Sequence, residues 1–259
     1  MRMMKKVLGT VTVLALSVSL LAGCGSTAAS PVSSVASTAA ESTTSSVVSE
    51  TTSAAADENV AAAAQLLNDL TGSYQELWPV ILADEYQQTW LDDCTALVGE
   101  ENAEAAFEKL SSMVTGDVYG ENAVKAYANG GGAYFCGFTN GLVTLTFDGE
   151  TSTISGTDKD GNVLFSHTYH YIGMEPVRGL YEFESDDADS GEFTYFFLAP
   201  DTSAETYHIE FRYGSDAEAL SQYDAGDYAY WLASGISTDC DQTMIDNCIE
   251  LFCTENLAG

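Results

Sequence analysis

The region between residues 133 and 213 constrains the fold most, because seven short strand-like segments follow one another there. Each segment is rich in β-branched and aromatic residues, and turn signals such as Asp148-Gly149 separate it from the next. The predicted strands are residues 133–138, 142–147, 151–156, 163–171, 177–184, 193–199 and 207–213. Short links between consecutive strands predict an antiparallel meander. With residues 72–77 as an eighth strand, we expect a small closed barrel, because closure removes exposed sheet edges.

Helices are predicted before and after this meander. Asp57 suits the N-cap of an alanine-rich helix that runs to about Asn68, and residues 80–114 have helical composition after Pro79. A last helix is predicted from an apolar stripe at helical spacing, which we interpret as core packing: Met244, Ile245, Cys248, Ile249 and Phe252. The predicted fold class is therefore mainly β (α+β), an antiparallel β-barrel with N-terminal helices and a C-terminal helix.

Residues 1–23 have the pattern of a bacterial export signal. Basic residues precede an uncharged apolar run over residues 7–21, which is short for a transmembrane helix and typical of a signal peptide. The run ends in Leu-Ala-Gly-Cys at residues 21–24, which resembles the lipobox of bacterial lipoproteins. That resemblance implies cleavage before Cys24 and a lipid on its thiol, which anchors the protein to the extracytoplasmic face of the cell membrane. The alternative is a signal peptide followed by a chance cysteine.

Residues 24–56 are predicted to be the lipidated Cys24 followed by a disordered tether. This segment is almost entirely Ser, Thr, Ala and Val, with Glu41 and Glu50 as its charges. Such a composition buries too little surface to offset the entropy lost on ordering. The composition changes near Asp57, and residues 57–259 are long enough for one domain with a proper core.

The charge balance excludes some classes of function. The chain has 39 acidic and 8 basic residues and a formal net charge of −31. Nucleic acid and anionic lipid are therefore excluded as partners, since both need clustered Lys and Arg. Neither a Gly-rich phosphate loop nor a nucleophile elbow is present in the sequence, so enzymatic activity is not expected.

The cysteines do not indicate a thiolate metal site. Besides Cys24 there are five, none in a CxxC spacing: Cys94, Cys136, Cys240, Cys248 and Cys253. An exported protein can hold a disulfide, but the sequence does not select a pair.

Three stretches resemble the ZinT (also called YodA) family of exported zinc- and cadmium-binding proteins. They are residues 67–79, the strand pair 160–164 and 177–184, and the strand HIEFRYG at 208–214, which stands where the family has His-x-His-x-x-x-Gly. The resemblance implies a lipocalin-like (calycin) barrel that binds zinc, cadmium or another divalent metal. It also implies zinc ABC transporter components as partners, which the protein would supply with metal.

The same resemblance implies candidate metal ligands. The family uses three histidines, two in the His-x-His strand and one about nine residues earlier. Here His208 keeps the first position, Glu210 stands in the second, and Asp201 is the nearest substitute for the earlier one. Residues two apart on a strand share a face, so His208 and Glu210 are expected to point the same way. Imidazole and carboxylate are both acceptable zinc ligands.

His167 and His170 are further candidates for the third ligand. Being three apart on one predicted strand, they are expected to point to opposite faces. The meander places the end of that strand, the 200–206 loop and His208 at one end of the barrel, so one of these histidines is predicted to reach across the barrel mouth. The alternative is that these histidines bind no metal and are either exposed to solvent or buried with their hydrogen bonds satisfied in the core.

Two other functions remain open at this point. One is the binding of a small apolar ligand inside the barrel, which requires a sizeable apolar cavity. The other is a metal-free surface interaction domain. Residues 185–192 form an acidic loop, but their spacing does not match the EF-hand pattern for calcium.

Overall fold

A computed structural model of the chain describes residues 47–116, 118–199 and 208–258, with side chains from residue 58 onward. The predicted signal peptide, Cys24, most of the tether and Asp201 lie outside these residues. Within them the helices are α1 (Val47–Asp69), α2 (Leu77–Ile81), α3 (Gln87–Val98), α4 (Glu100–Val114), α5 (Glu121–Ala128), α6 (Ala217–Leu220) and α7 (Gln242–Leu257). No described helix is long and apolar enough to cross a membrane.

The strands form one closed barrel, which confirms the predicted fold class. They are β1 (Gly72–Glu76), β2 (Thr144–Asp148), β3 (Thr153–Thr157), β4 (Val163–Met174), β5 (Tyr181–Ser185), β6 (Tyr195–Leu198), β7 (His208–Gly214) and β8 (Ala233–Ser237). Each strand pairs antiparallel with the next, and β8 pairs with β1 to close the ring. Closure leaves no unpaired edge among the described strands, as the meander predicts.

Two segments differ from the predicted strand set. Residues 133–138 are not a barrel strand; Phe135 makes isolated bridges to Thr115 and Trp231 and lies beside the chain that leads into β8. This segment's place in the barrel is taken by β8, whose sequence Ala-Ser-Gly-Ile-Ser has little of the β-branched and aromatic pattern on which the strand predictions depend.

The first helix also differs from its prediction, because α1 begins at Val47 rather than at Asp57. No Gly or Pro interrupts it, so helix extends into the predicted tether.

The interior of the barrel is filled by aromatic rings. Phe147, Phe183, Phe196, Phe211 and Tyr213 are all at most 1% exposed. The ring centroids of Phe196 and Tyr213 are 5.4 Å apart, a separation typical of favourable aromatic pairs. Apolar residues of α1 and the leucine that follows it belong to the same cluster: Ala63, Leu66, Leu67 and Leu70.

A second core lies between the helices and the outer face of β8. It contains the buried residues of α2, α3, α4 and α7 together with Ile236, which points away from the barrel interior. The indole of Trp90 donates a 2.7 Å hydrogen bond to the carbonyl oxygen of Ile81 and so ties α3 to α2. Through this core α2 and α7 are fixed against the wall formed by β7 and β8.

Carboxylates crowd the interface between α3 and α7. Burial, followed by the charges of Glu250 and Asp246, raises the pKa of Asp93 above its ordinary value of 3.8. Its Oδ2 is buried and has no hydrogen-bond partner among the described residues. A raised folded-state pKa means that the folded chain loses stability as the pH rises from the ordinary pKa of Asp93 through its raised pKa.

The substitution Asp93→Asn is therefore expected to stabilise the protein at neutral pH and to have little effect below the ordinary pKa of Asp93. Urea unfolding at both pH values measures the difference. Asp92→Asn, at the exposed neighbouring position, controls for the general benefit of removing one negative charge. Equal stabilisation by the two variants at neutral pH would show that Asp93 carries no special cost.

Candidate metal centre

The side chains of β7 alternate between the two faces of the barrel wall. Ile209, Phe211 and Tyr213 belong to the interior cluster. His208 and Glu210 therefore share the opposite face, and in the register they stand beside Ile236 and Ser234 of β8. The expected common orientation of the imidazole and the carboxylate is present in the structure.

That common face is the outer face of the barrel rather than the barrel mouth, where the sequence places the pair. His208 and Glu210, both half-buried, line a pocket of about 40 Å³ between β7, α2 and α7. The reason lies in the apolar residues of β7, which occupy the alternate positions and take the interior face. The rest of the pocket is lined by Leu77, Trp78, Ile81, Cys248, Leu251, Phe252 and Glu255.

Two residues of this pocket were missed by sequence reasoning. Cys248 and Glu255 lie two turns apart on α7 and bring a thiol and a second carboxylate to the pocket. The apolar stripe of α7 predicts Cys248 as core packing, and this side chain is indeed only 4% exposed. Glu255 has no distinguishing pattern in the sequence, and only the packing of α7 against β7 reveals its place.

The chemistry of the pocket suits a divalent metal, but the described residues do not complete a centre. Imidazole, carboxylate and thiolate are the groups that bind zinc, and the volume exceeds that of one water-sized probe. Among the described residues, however, no three His, Cys, Asp or Glu side chains stand together as a metal-binding group. A full centre therefore requires a further ligand, which has three possible sources. These are a residue outside the described ones, such as Asp201, a shift of Cys248 or Glu255 towards β7, or water.

A second thiol lies close to the pocket without belonging to it. Burial, and then the charge of Glu210, raises the pKa of Cys136 to about 12. Cys136 therefore stays a neutral thiol at neutral pH, and a neutral thiol is a poor metal ligand.

The register separates His170 from His208, which corrects the expected meeting across the barrel mouth. His170 pairs with Glu184, Glu184 with Tyr195, and Tyr195 with Gly214. His170 is thus level with the far end of β7, about 20 Å from His208 along the strand direction at 3.3 Å per residue. The cause is the length of β4, which continues past His170 to Met174.

Both β4 histidines are engaged with the acidic loop instead. His167 Nδ1 lies 2.7 Å from Asp187 Oδ2, and His170 Nδ1 lies 2.7 Å from Asp186 Oδ1. The two side chains do point to opposite faces: His167 lies on the face of β4 that carries the buried Phe165 and Tyr169, whereas His170 lies on the exposed face. Neither completes a site with His208 and Glu210.

A larger apolar cleft lies elsewhere on the domain. It measures about 310 Å³ and is lined by residues of α2, the end of α4 and the 135–137 segment, and its ionisable groups are the carboxylate of Glu76 and the thiol of Cys136. Glu76 Oε1 already accepts a 2.6 Å hydrogen bond from the backbone N–H of Phe138. The cleft lies outside the barrel interior, which aromatic rings fill. The apolar-ligand hypothesis expects a cavity inside the barrel instead.

The described residues thus define a closed eight-stranded antiparallel barrel with flanking helices and a polar pocket on its outer wall. No family model and no curated protein matches the chain. Two solved structures are similar to it. One is the Zn(II)-bound ZinT-like domain of Streptococcus pneumoniae AdcA, with 15% identity, a TM-score of 0.45, and 71% of this chain and 89% of that chain covered.

The other is Zn(II)-bound AdcA from the same organism, with 13% identity and a TM-score of 0.42. That match covers 72% of this chain and 35% of AdcA, so the chain spans about a third of that protein. A ZinT-like domain is therefore among the solved structures to which this chain is similar.

Proposed function

We propose that this protein binds zinc at the pocket on the outer wall of its barrel. The observation that carries the proposal is that His208 and Glu210, two positions apart on β7, open into the same pocket as Cys248 and Glu255 of α7. An imidazole and two carboxylates, with a thiol beside them, are a donor set suited to zinc. Cadmium or another divalent metal is the alternative cargo.

His208 and Glu210 are the two ligands that we assign, and Asp201, Cys248, Glu255 or water completes the coordination. Glu210 replaces a neutral imidazole of the family pattern, so we expect weaker binding than a three-histidine site gives. The excess of 39 acidic over 8 basic residues favours the approach of cations to the domain.

In the cell, we propose, the protein is a lipoprotein held through Cys24 on the extracytoplasmic face of the membrane. There it would capture zinc and supply it to the components of a zinc ABC transporter, as a binding protein rather than an enzyme. The lipobox-like sequence before Cys24 supports the anchor, and the family resemblance supports the transporter.

The test is a calorimetric titration of zinc into chelator-treated protein at several pH values. We expect one zinc ion per chain, with an affinity that falls as the pH drops below about 6.5, the ordinary pKa of histidine, because protons then compete for the imidazole. Magnesium under the same conditions is the control for diffuse attraction to the acidic surface. Absence of saturable zinc binding, or a response equal to that of magnesium, would contradict the proposal.

A second candidate function is the binding of a small apolar ligand in the cleft beside Trp78. Its volume of about 310 Å³ lies at the lower end of the range of ligand pockets, roughly 300–1,000 Å³. Protein that takes up an apolar fluorescent probe there and shows no saturable zinc binding would favour this function. Protein that does neither would favour a metal-free interaction domain.

A further inference from the structure

Two buried thiols from different helices lie in contact in the helical core. Cys94 belongs to α3 and Cys253 to α7, and both are 0% exposed. Their Sγ atoms are 3.9 Å apart. The two residues are 159 positions apart in the sequence, so their contact depends on the docking of α7 against α3.

We propose that Cys94 and Cys253 form a disulfide that joins α3 to α7. A disulfide holds its sulfur atoms about 2 Å apart, so the two Sγ atoms, now 3.9 Å apart, must approach by about 2 Å for the bond to form. Packing around the pair keeps the helices close: the rings of Trp90 and Phe252 meet at a centroid distance of 6.0 Å. The inference is independent of zinc binding and relies on the predicted export, since disulfides persist in oxidising compartments.

The other described cysteines have different surroundings. Cys136 lies beside Trp78 and Ser234, and Cys248 lines the candidate metal pocket. Cys240 is half-exposed in the turn before α7. Cys248 and Cys253 share one helix at a spacing that turns them to different sides of it. Contact geometry therefore favours the pair that links two helices.

The reaction is thiol–disulfide exchange with an external disulfide as the oxidant. The thiolate of one cysteine attacks that disulfide, forms a mixed disulfide and releases one thiol; the second cysteine then displaces the other thiol. Two protein thiols and one external disulfide thus become one protein disulfide and two external thiols.

Burial controls when this exchange takes place. In the folded protein burial raises the pKa of the Cys94 thiol, and burial followed by the neighbouring Cys94 raises that of Cys253. Few thiolates are then present and no oxidant reaches them. The bond therefore forms during folding, while α7 docks against α3 and the thiols are still accessible, and is afterwards shielded from reductants. It also fixes the helix that presents Cys248 and Glu255 to the pocket.

The experiment is refolding of the full chain from its reduced, unfolded state in an oxidising glutathione buffer with chelator present. Free thiols are then alkylated, and the protein is digested without reduction for mass spectrometry. We expect a linked pair of peptides that contain Cys94 and Cys253, and an intact mass lower by two hydrogens. Cys240→Ser should keep the linked pair, whereas Cys94→Ser should lose it.

Alkylated Cys94 and Cys253 in the refolded wild-type chain, or linkage of either to another cysteine, would overturn the proposal. This outcome needs no variant, so misfolding of Cys94→Ser does not obscure it. A second measurement uses folded, reduced protein exposed to the same buffer. It should oxidise at least tenfold more slowly than the refolding chain, and an equal rate would contradict the role assigned to burial.

Discussion

Replacing His208 with alanine is expected to lower the zinc affinity of the protein by more than about 100-fold, because loss of even an outer-shell partner typically costs 10–100-fold. His208 is the one imidazole among the residues that line the pocket. Its removal leaves carboxylates and a thiol, and the loss should appear as a weaker binding constant in calorimetry on the folded variant.

The matched control is His170→Ala. His170 is also a half-exposed strand histidine next to carboxylates, with Asp186 at 2.7 Å, but it lies at the other end of the barrel. We expect its replacement to leave zinc affinity within about twofold of wild type, since its carboxylate contacts lie far from the pocket. If His170→Ala weakened zinc binding and His208→Ala did not, the metal would bind at the acidic loop.

Replacing Arg212 with alanine is expected to destabilise the fold by about 3 kcal/mol or more, because it leaves several buried carbonyl groups without donors. Arg212 is 0% exposed. Its guanidinium donates to the backbone carbonyls of Leu220 and Tyr228 and lies over the ring of Tyr223, with Cζ 4.3 Å from the centroid. It thus holds the 215–230 segment against the outer face of β7.

Urea unfolding measures this loss as a lower midpoint. Lys109→Ala is the control, because Lys109 is exposed on α4 and a surface change of this kind usually alters stability by no more than about 0.5 kcal/mol. If Arg212→Ala altered the free energy of unfolding no more than Lys109→Ala does, water would be replacing the guanidinium at these carbonyls. His208 and Glu210 share the face and strand of Arg212, so zinc affinity should be measured only on folded fractions of this variant.

The sequence predicts the barrel well because its evidence is local. Turn signals such as Asp160-Gly161 and the alternating apolar residues of β7 act between neighbouring residues, and both are visible without any tertiary contact. Local patterns could not predict that β8, rather than residues 133–138, is a strand of the barrel. Residues 133–138 have strand-like composition, and β8 consists largely of small residues that fit beside bulky ones such as Ile209, whose side chain lies 3.1 Å from a Cβ placed on Gly235.

The candidate site is predictable only in part. The period of a strand is enough to pair His208 with Glu210. The choice between inner and outer face depends on which side the whole of β7 buries, and the separation from His170 depends on the register across four strands. Cys248 and Glu255 reach the pocket through the docking of α7 against the barrel wall, a long-range contact that no local pattern indicates.

The most direct test of the zinc site is a crystal of the zinc-treated protein measured on both sides of the zinc absorption edge. The anomalous difference locates the metal without reference to any assumed ligand. We predict one peak in the pocket between β7, α2 and α7, within about 2.1 Å of an imidazole nitrogen of His208 and about 2.2 Å of a carboxylate oxygen of Glu210. A peak at His167 or His170 beside the acidic loop, with none at His208, would contradict the account.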